Sequence, residues 1–137
     1  MKRPAFTLLE SIVVLSLVVG FALIPVTQFG PIKQQHAEQL FLSHFDQEWR
    51  YLQAYALLRG ERVQIHVQRQ QVVFRIFSGQ DWATQKILAM PPGMHADGHA
   101  ILIDPSGHIG PTTINFKSEY FHRVTSIKPQ MGWGTYE

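Results

Sequence analysis

Residues 6–24 read FTLLESIVVLSLVVGFALI, and Glu10 is the one charged side chain among them. At ~1.5 Å per residue, a helix of this length extends roughly 28 Å, which matches the hydrocarbon core of a bilayer. We therefore predict a transmembrane and assembly helix over residues 6–29. Apolar side chains spread along it mark the span: Phe6, Leu9, Ile12, Leu15 and Ile24.

The five residues before this stretch form a short basic leader that contains Lys2 and Arg3. Positive residues beside an apolar helix favour the cytoplasmic side of a membrane. We therefore expect a single-pass protein of the cytoplasmic membrane, in contact with lipid, whose N-terminus is cytoplasmic and whose residues 30–137 are extracytoplasmic. A secretory signal peptide fits less well, because its apolar region spans roughly 7–15 residues and ends in a small-x-small cleavage site.

Glu10 lies inside the apolar stretch, where an ionisable side chain costs on the order of 1–3 kcal/mol depending on depth. A residue of this kind usually has a function or a paired charge. Within this chain, Lys2 and Arg3 are the basic residues close enough to reach it, from the edge of the membrane. The alternative is a cation on another molecule.

The string PAFTLLESIVVLSLVVG, residues 4–20, resembles the amino-terminal signal of type IV pilins and pseudopilins. The resemblance implies that a prepilin peptidase cuts between Ala5 and Phe6 and that the new amine of Phe6 is methylated. In the family, Gly is the usual residue at the position of Ala5. The resemblance also implies that Glu10 faces the positive N-terminal amine of a neighbouring subunit. A carboxylate paired with an ammonium in low dielectric is strongly oriented, so such a pair sets the axial register between helices.

A second, amphipathic helix is predicted over about residues 33–59. Pro25, Gly30 and Pro31 precede it, and because each proline removes a helical hydrogen bond we expect a bend here. Gly60 follows it as a C-cap. The apolar stripe, which needs a partner surface, consists of Leu40, Phe41, Phe45, Trp49, Leu52 and Ala56.

Short strands are expected over about residues 62–136. Residues 63–67 alternate apolar and polar side chains, and residues 71–77 supply a second, mainly apolar run. A turn at Arg69 and Gln70 lies between them, which predicts a β-hairpin. Further strands are expected at the ILAM end of residues 81–90 and at 99–103, 112–116 and 122–127, with a last short strand in the tail. One long helix followed by short strands indicates an α+β fold with a small antiparallel sheet packed on the helix.

The second half of the chain carries a looser resemblance. LIDPSGHIGPTTINF, residues 102–116, and the closing MGWGTYE resemble the C-terminal blocks of H-type secretion and D-type competence pseudopilins. Ser11 and residues 15–17 are typical of the D-type competence subunits. This implies a minor pseudopilin that joins major and minor subunits in a competence pilus and supports uptake of extracellular DNA. A type II secretion pseudopilin, or a single-pass anchored binding domain that never assembles, remains the alternative.

Composition and motifs argue against catalysis and against autonomous nucleic-acid binding. The chain has 12 Lys+Arg and 10 Asp+Glu, and Lys2 and Arg3 account for its net charge of +2. Nucleic-acid binding needs clustered basic side chains, so DNA contact is expected only through the assembled pilus. His95, Asp97 and His99 are close in sequence but lack the helical spacing of a metal site. No nucleotide-binding or hydrolase motif is present, so we expect a non-catalytic protein without cofactor or metal.

Overall fold

The computed structural model describes residues 8–23 and 29–129. The chain divides into two compact units, Met1–His36 and Ala37–Glu137. Helix α1 spans Leu8–Leu23 in the first unit. The second, called the globular unit below, contains most of helix α2 and all the strands of the described residues.

Helix α2 spans Phe29–Arg59 and so begins before the predicted residue 33. The reason is that Pro31 lies in its first turn, where a backbone N–H would make no hydrogen bond within the helix, so the proline costs none. The helix ends as predicted at Gly60, which has a φ of 65°. The Gly60 N–H donates to the Ala56 carbonyl at 2.9 Å, so the glycine closes the last turn.

Four antiparallel strands form the first sheet in the order β3-β2-β1-β5. They are β1 (Val63–Val67), β2 (Gln71–Ser78), β3 (Asp81–Ala89) and β5 (His99–Ile103), with β4 (Met94–Ala96) intervening in the chain. The pairing of β1 with β2 confirms the predicted hairpin. A register shift at Phe74 and Arg75 places a bulge in the pairing of β2 with β3.

A separate sheet of three antiparallel strands has the order β4-β6-β7, where β6 is Ile114–Ser118 and β7 is Arg123–Ile127. The sequence predicted one sheet, and the division into two arises from long-range pairings. β1 recruits β5, whereas β4 pairs with β6. The strand predicted in the tail falls in residues 130–137, outside the described part of the chain.

The core of the globular unit lies where both sheets meet α2. Phe45 is fully buried, and its ring centroid lies 6.1 Å from that of Phe74 on β2 and 5.3 Å from that of Phe116 on β6. Phe41 makes an edge contact with the same Phe116 ring at 5.6 Å. The predicted stripe is confirmed at Phe41, Phe45, Trp49, Leu52 and Ala56, whereas Leu40 is exposed. The fold is therefore α+β, a long helix packed on small antiparallel sheets, as predicted.

Candidate assembly surface

Helix α1 exposes apolar side chains on every side. Every side chain in residues 8–22 is exposed. Leu9 is 73% exposed, Ile12 53% and Leu15 66%, so three of the predicted span residues lie on this surface. A helix that is apolar all round is stable only inside an apolar environment, which is a protein core, a helix bundle or lipid. The surface of α1 is therefore suited to assembly or to a membrane.

Within residues 8–23 and 29–129, no helix combines the length and the apolar character that crossing a membrane requires.

Glu10 is exposed and lies in the first turn of α1. Val13, Val14 and Leu17 follow it at i+3, i+4 and i+7 and therefore lie on the same face of the helix. The carboxyl group thus marks one end of an apolar face, and its pairing with a neighbouring amine stays a prediction. Ala5, Phe6 and Ile24, which carry the predicted cleavage, methylation and the end of the span, lie outside the described residues.

The polar side chain of Ser16 on α1 is compatible with an apolar environment. The Ser16 hydroxyl donates to the Ile12 carbonyl at 2.8 Å, so this donor is satisfied within the helix. Gly20, one turn further on, lines a shallow groove of about 290 Å³ with Ser16, Leu17 and Phe21. Small residues spaced in this way allow helix backbones to approach closely in lipid.

The globular unit has a polar cleft of about 700 Å³ beside the β1–β2 turn. Arg69, His95, Glu119 and three glutamines contribute its polar side chains, and His95 Nδ1 lies 3.5 Å from Glu119 Oε1. None of the described residues that line the cleft is a hydroxyl nucleophile. The cleft is open to solvent and offers hydrogen-bonding groups for a polar ligand.

Asp97, one of the residues considered for a metal site, is part of an ion pair. Lys117 Nζ donates to Asp97 Oδ1 at 2.8 Å. This hydrogen bond holds the pKa of the Asp97 carboxyl below its usual value. His95 and His99 lie on different sheets, on β4 and β5. In the part of the chain that the structure describes, no three His, Asp or Glu side chains are grouped to hold a metal ion.

A second polar contact lies at the end of α2. The Tyr55 hydroxyl donates to Glu61 Oε2 at 3.1 Å, and this hydrogen bond raises the pKa of the Tyr55 phenol. Two turns earlier on the same side of the helix, Lys86 of β3 donates to Glu48. These contacts tie this side of α2 to β3 and to the segment that follows the helix.

Glu38 is a functional candidate that the sequence did not single out. It is 2% exposed, and the Ser118 hydroxyl of β6 donates to its Oε1 at 2.7 Å. Glu38 stands three and seven residues before Phe41 and Phe45, so it continues the buried stripe of α2. That spacing was the available signal, but an acidic residue on an amphipathic helix is ordinarily assigned to the solvent face.

No protein-family model matches this chain, and no curated protein sequence matches it. Among solved structures, it is similar to the minor pseudopilin EpsH from the type 2 secretion system of Vibrio cholerae, with a TM-score of 0.61 and 15% identity over 74% of this chain and 94% of that one. The fold is pseudopilin-like. A second crystal structure of EpsH gives a TM-score of 0.60 and 14% identity over 76% of this chain and 95% of that one. The pseudopilin-like fold assigns an architectural class to α2 and the sheets.

Proposed function

We propose that this chain is a minor pseudopilin that assembles through α1 into a competence pilus and supports uptake of extracellular DNA. The observation that carries the proposal is the apolar surface of α1, exposed all round, with Glu10 in its first turn. The pseudopilin-like fold of the chain supports the same class of function. The choice of competence rests on the sequence, namely on Ser11, on residues 15–17 and on the block at 102–116.

In this proposal the chain is a structural, non-catalytic subunit held in the cytoplasmic membrane by residues 6–29. A prepilin peptidase removes residues 1–5 by cutting after Ala5, and the amine of Phe6 is methylated. Glu10 then pairs with the N-terminal amine of a neighbouring pilin or pseudopilin subunit, where low dielectric makes the pair directional. Extracellular DNA contacts the assembled pilus rather than this subunit alone.

The first experiment is mass spectrometry of the mature N-terminus from cells that express the natural gene. A chain that starts at methylated Phe6 supports the proposal. An intact Met1, or a start beyond residue 25, contradicts it.

The second experiment replaces Glu10 with alanine and uses Ser16→Ala as the matched control on the same helix. Breaking a buried ion pair costs about 3–5 kcal/mol, which corresponds to more than ~100-fold in an assembly equilibrium. Glu10→Ala is therefore expected to stay in the membrane but to be lost from sheared pili, and transformation is expected to fall with it. Ser16→Ala, which removes only a local hydrogen bond, is expected to assemble normally. Normal assembly of Glu10→Ala would favour a simple membrane anchor.

The second candidate function is that of a type II secretion pseudopilin, and the specific observation in its favour is that the structurally similar EpsH belongs to such a system. Deletion of the gene separates the two candidates. Loss of DNA uptake with normal protein secretion supports competence, and the opposite pattern supports secretion.

A further inference from the structure

The four-stranded sheet has a face that points away from α2, called here the outer sheet face. Side chains alternate across a strand, and residues paired between antiparallel strands share a face. The core positions of β1 and β2 are thereby assigned to the α2 side, and the residues between them to the outer side. Val73 of β2 lies on the outer side and is nevertheless 4% exposed, so part of this face is already covered. One row on the outer face crosses all four strands, each residue paired with the next: Thr84, Arg75, Gln64 and Leu102.

Apolar side chains lie in this row and beside it. Ile87 and Leu102 are 56% and 43% exposed, although both belong to strands. Below the row, the rings of Phe77 and Trp82 pack edge to face with centroids 5.3 Å apart. The strand residues of the outer sheet face therefore combine few charges with packed aromatic rings, which is the composition typical of the centre of a protein interface.

Arg75 lies in the middle of this surface. The structure describes every strand residue of the sheet, and among those on the outer side Arg75 is the one arginine or lysine. No strand of this sheet places an aspartate or glutamate on the outer side: Asp81 pairs with Ser78 on the α2 side. The Arg75 Nε atom is buried and makes no hydrogen bond with the described residues. Its row neighbours Thr84 and Gln64 carry acceptor oxygens, yet neither bonds this nitrogen.

A buried donor of a charged group without an acceptor is expensive, and a carboxylate is the acceptor that matches a guanidinium in charge and geometry. We propose that the outer sheet face docks on a different protein subunit whose surface presents an aspartate or glutamate, set among apolar side chains, to Arg75. This interface consists of residues of the globular unit and does not depend on the proposed function.

Two other occupants fit the charges less well. A nucleic acid is recognised through several clustered cations, and the strands of this face provide one. Face-to-face pairing of two copies of the chain would bring the central Arg75 groups of both copies together without a carboxylate between them. A protein partner that supplies the missing negative charge satisfies both constraints.

The test is site-specific photocrosslinking of the full chain in the cells that naturally produce it. A photoreactive amino acid replaces Thr84, beside Arg75 on the outer sheet face, and the control replaces Leu58, an exposed residue of α2. Crosslinked peptides are identified by mass spectrometry. We expect Thr84, but not Leu58, to yield one peptide of another protein that contains an aspartate or glutamate near the crosslink.

Arg75 variants then test the charge pairing. Arg75→Glu is expected to lower the Thr84 crosslink at least tenfold, and changing the partner carboxylate to arginine in that background is expected to restore it. Arg75→Met is expected to lower the crosslink while thermal unfolding stays at or above the wild-type temperature, because it removes a buried unsatisfied donor. A purely structural arginine would instead give a lower unfolding temperature. Arg75→Met also keeps the test valid if Arg75→Glu fails to fold.

Several results would overturn the proposal. The first is that Arg75→Met leaves the Thr84 crosslink unchanged. The second is that the probes at Thr84 and Leu58 give the same crosslinked products. The third is that the probe at Thr84 crosslinks to no protein. A crosslink to DNA, to a second copy of this chain, or to residues 130–137 of the same chain would equally reject a carboxylate-bearing partner subunit as the occupant.

Discussion

Replacing Ser118 with alanine is expected to destabilise the globular unit by about 2 kcal/mol. Ser118 Oγ donates to the buried Glu38 Oε1 at 2.7 Å and accepts from the Phe121 N–H at 3.3 Å. Alanine removes this donor where water has almost no access, and losing one partner of a buried hydrogen bond costs about 1–3 kcal/mol. At 1.4 kcal/mol per factor of ten, the unfolding equilibrium constant rises roughly 30-fold.

Ser126→Ala is the matched control for this substitution. Ser126 Oγ donates to Asn115 Oδ1 at 2.8 Å, but this contact is exposed. Water can therefore replace the lost partner, and the expected change is within about 0.5 kcal/mol. The two variants share the chemical change and a similar donor–acceptor distance, so burial is what separates them.

Urea unfolding of the full chain in detergent micelles, followed by circular dichroism, measures both variants. Combining Ser118→Ala with Glu38→Gln completes a double-mutant cycle, and the double variant is expected to cost less than the sum of the single variants. Indistinguishable unfolding midpoints for Ser118→Ala and Ser126→Ala would refute the reasoning, because the buried contact would then contribute no more than the exposed one.

Three further substitutions test the fold. Phe45→Ala is expected to cost about 3–5 kcal/mol in denaturant titrations, because its ring is fully buried and contacts both sheets; a cost below 1 kcal/mol would reject this role. Gly107→Ala is expected to lower the thermal midpoint more than Gly79→Ala, since both glycines have positive φ (76° and 71°) but the added carbon at 107 meets a leucine side chain at 3.0 Å; equal shifts would count against this. The pKa of Asp97 is lowered in the folded state, so its ionised form contributes stability above the ordinary aspartate pKa of about 4, and this is lost as pH falls through the lower folded value. In Asp97→Asn the free energy of unfolding is therefore expected to decrease less steeply below about pH 4 than in the wild type. The same pH dependence in both proteins would contradict the ion pair with Lys117.

Features that depend on neighbouring residues were predictable from the sequence. The spacing of Phe41, Phe45 and Trp49 identified the buried side of α2, and Gly60 identified its end, because helix geometry fixes both within a few residues. The hairpin of β1 and β2 was equally local. The candidate assembly residues on α1 followed from resemblance to a family signal, and the roles of Glu10 and Phe6 stay predictions.

Features that depend on distant pairing were not predictable. Nothing in residues 63–67 indicates that β1 pairs with His99–Ile103, and the separation into two sheets follows from that choice. The position of Arg75 on the outer sheet face could not be predicted for the same reason. Val72, Val73 and Phe74 form an apolar run without alternation, and the bulge beside it exists only once β3 is paired.

The Phe45 contacts have a consequence for how the chain acquires its shape. This ring rests on Phe74 and Phe116, so the interior of the globular unit closes only after synthesis has passed β6. Domains dominated by such non-local pairings fold in about milliseconds to seconds, whereas helices form in about a microsecond. Until β6 has been synthesised, Phe45 and Trp49 lack strand residues that bury them in the folded unit, so both rings are available to a chaperone.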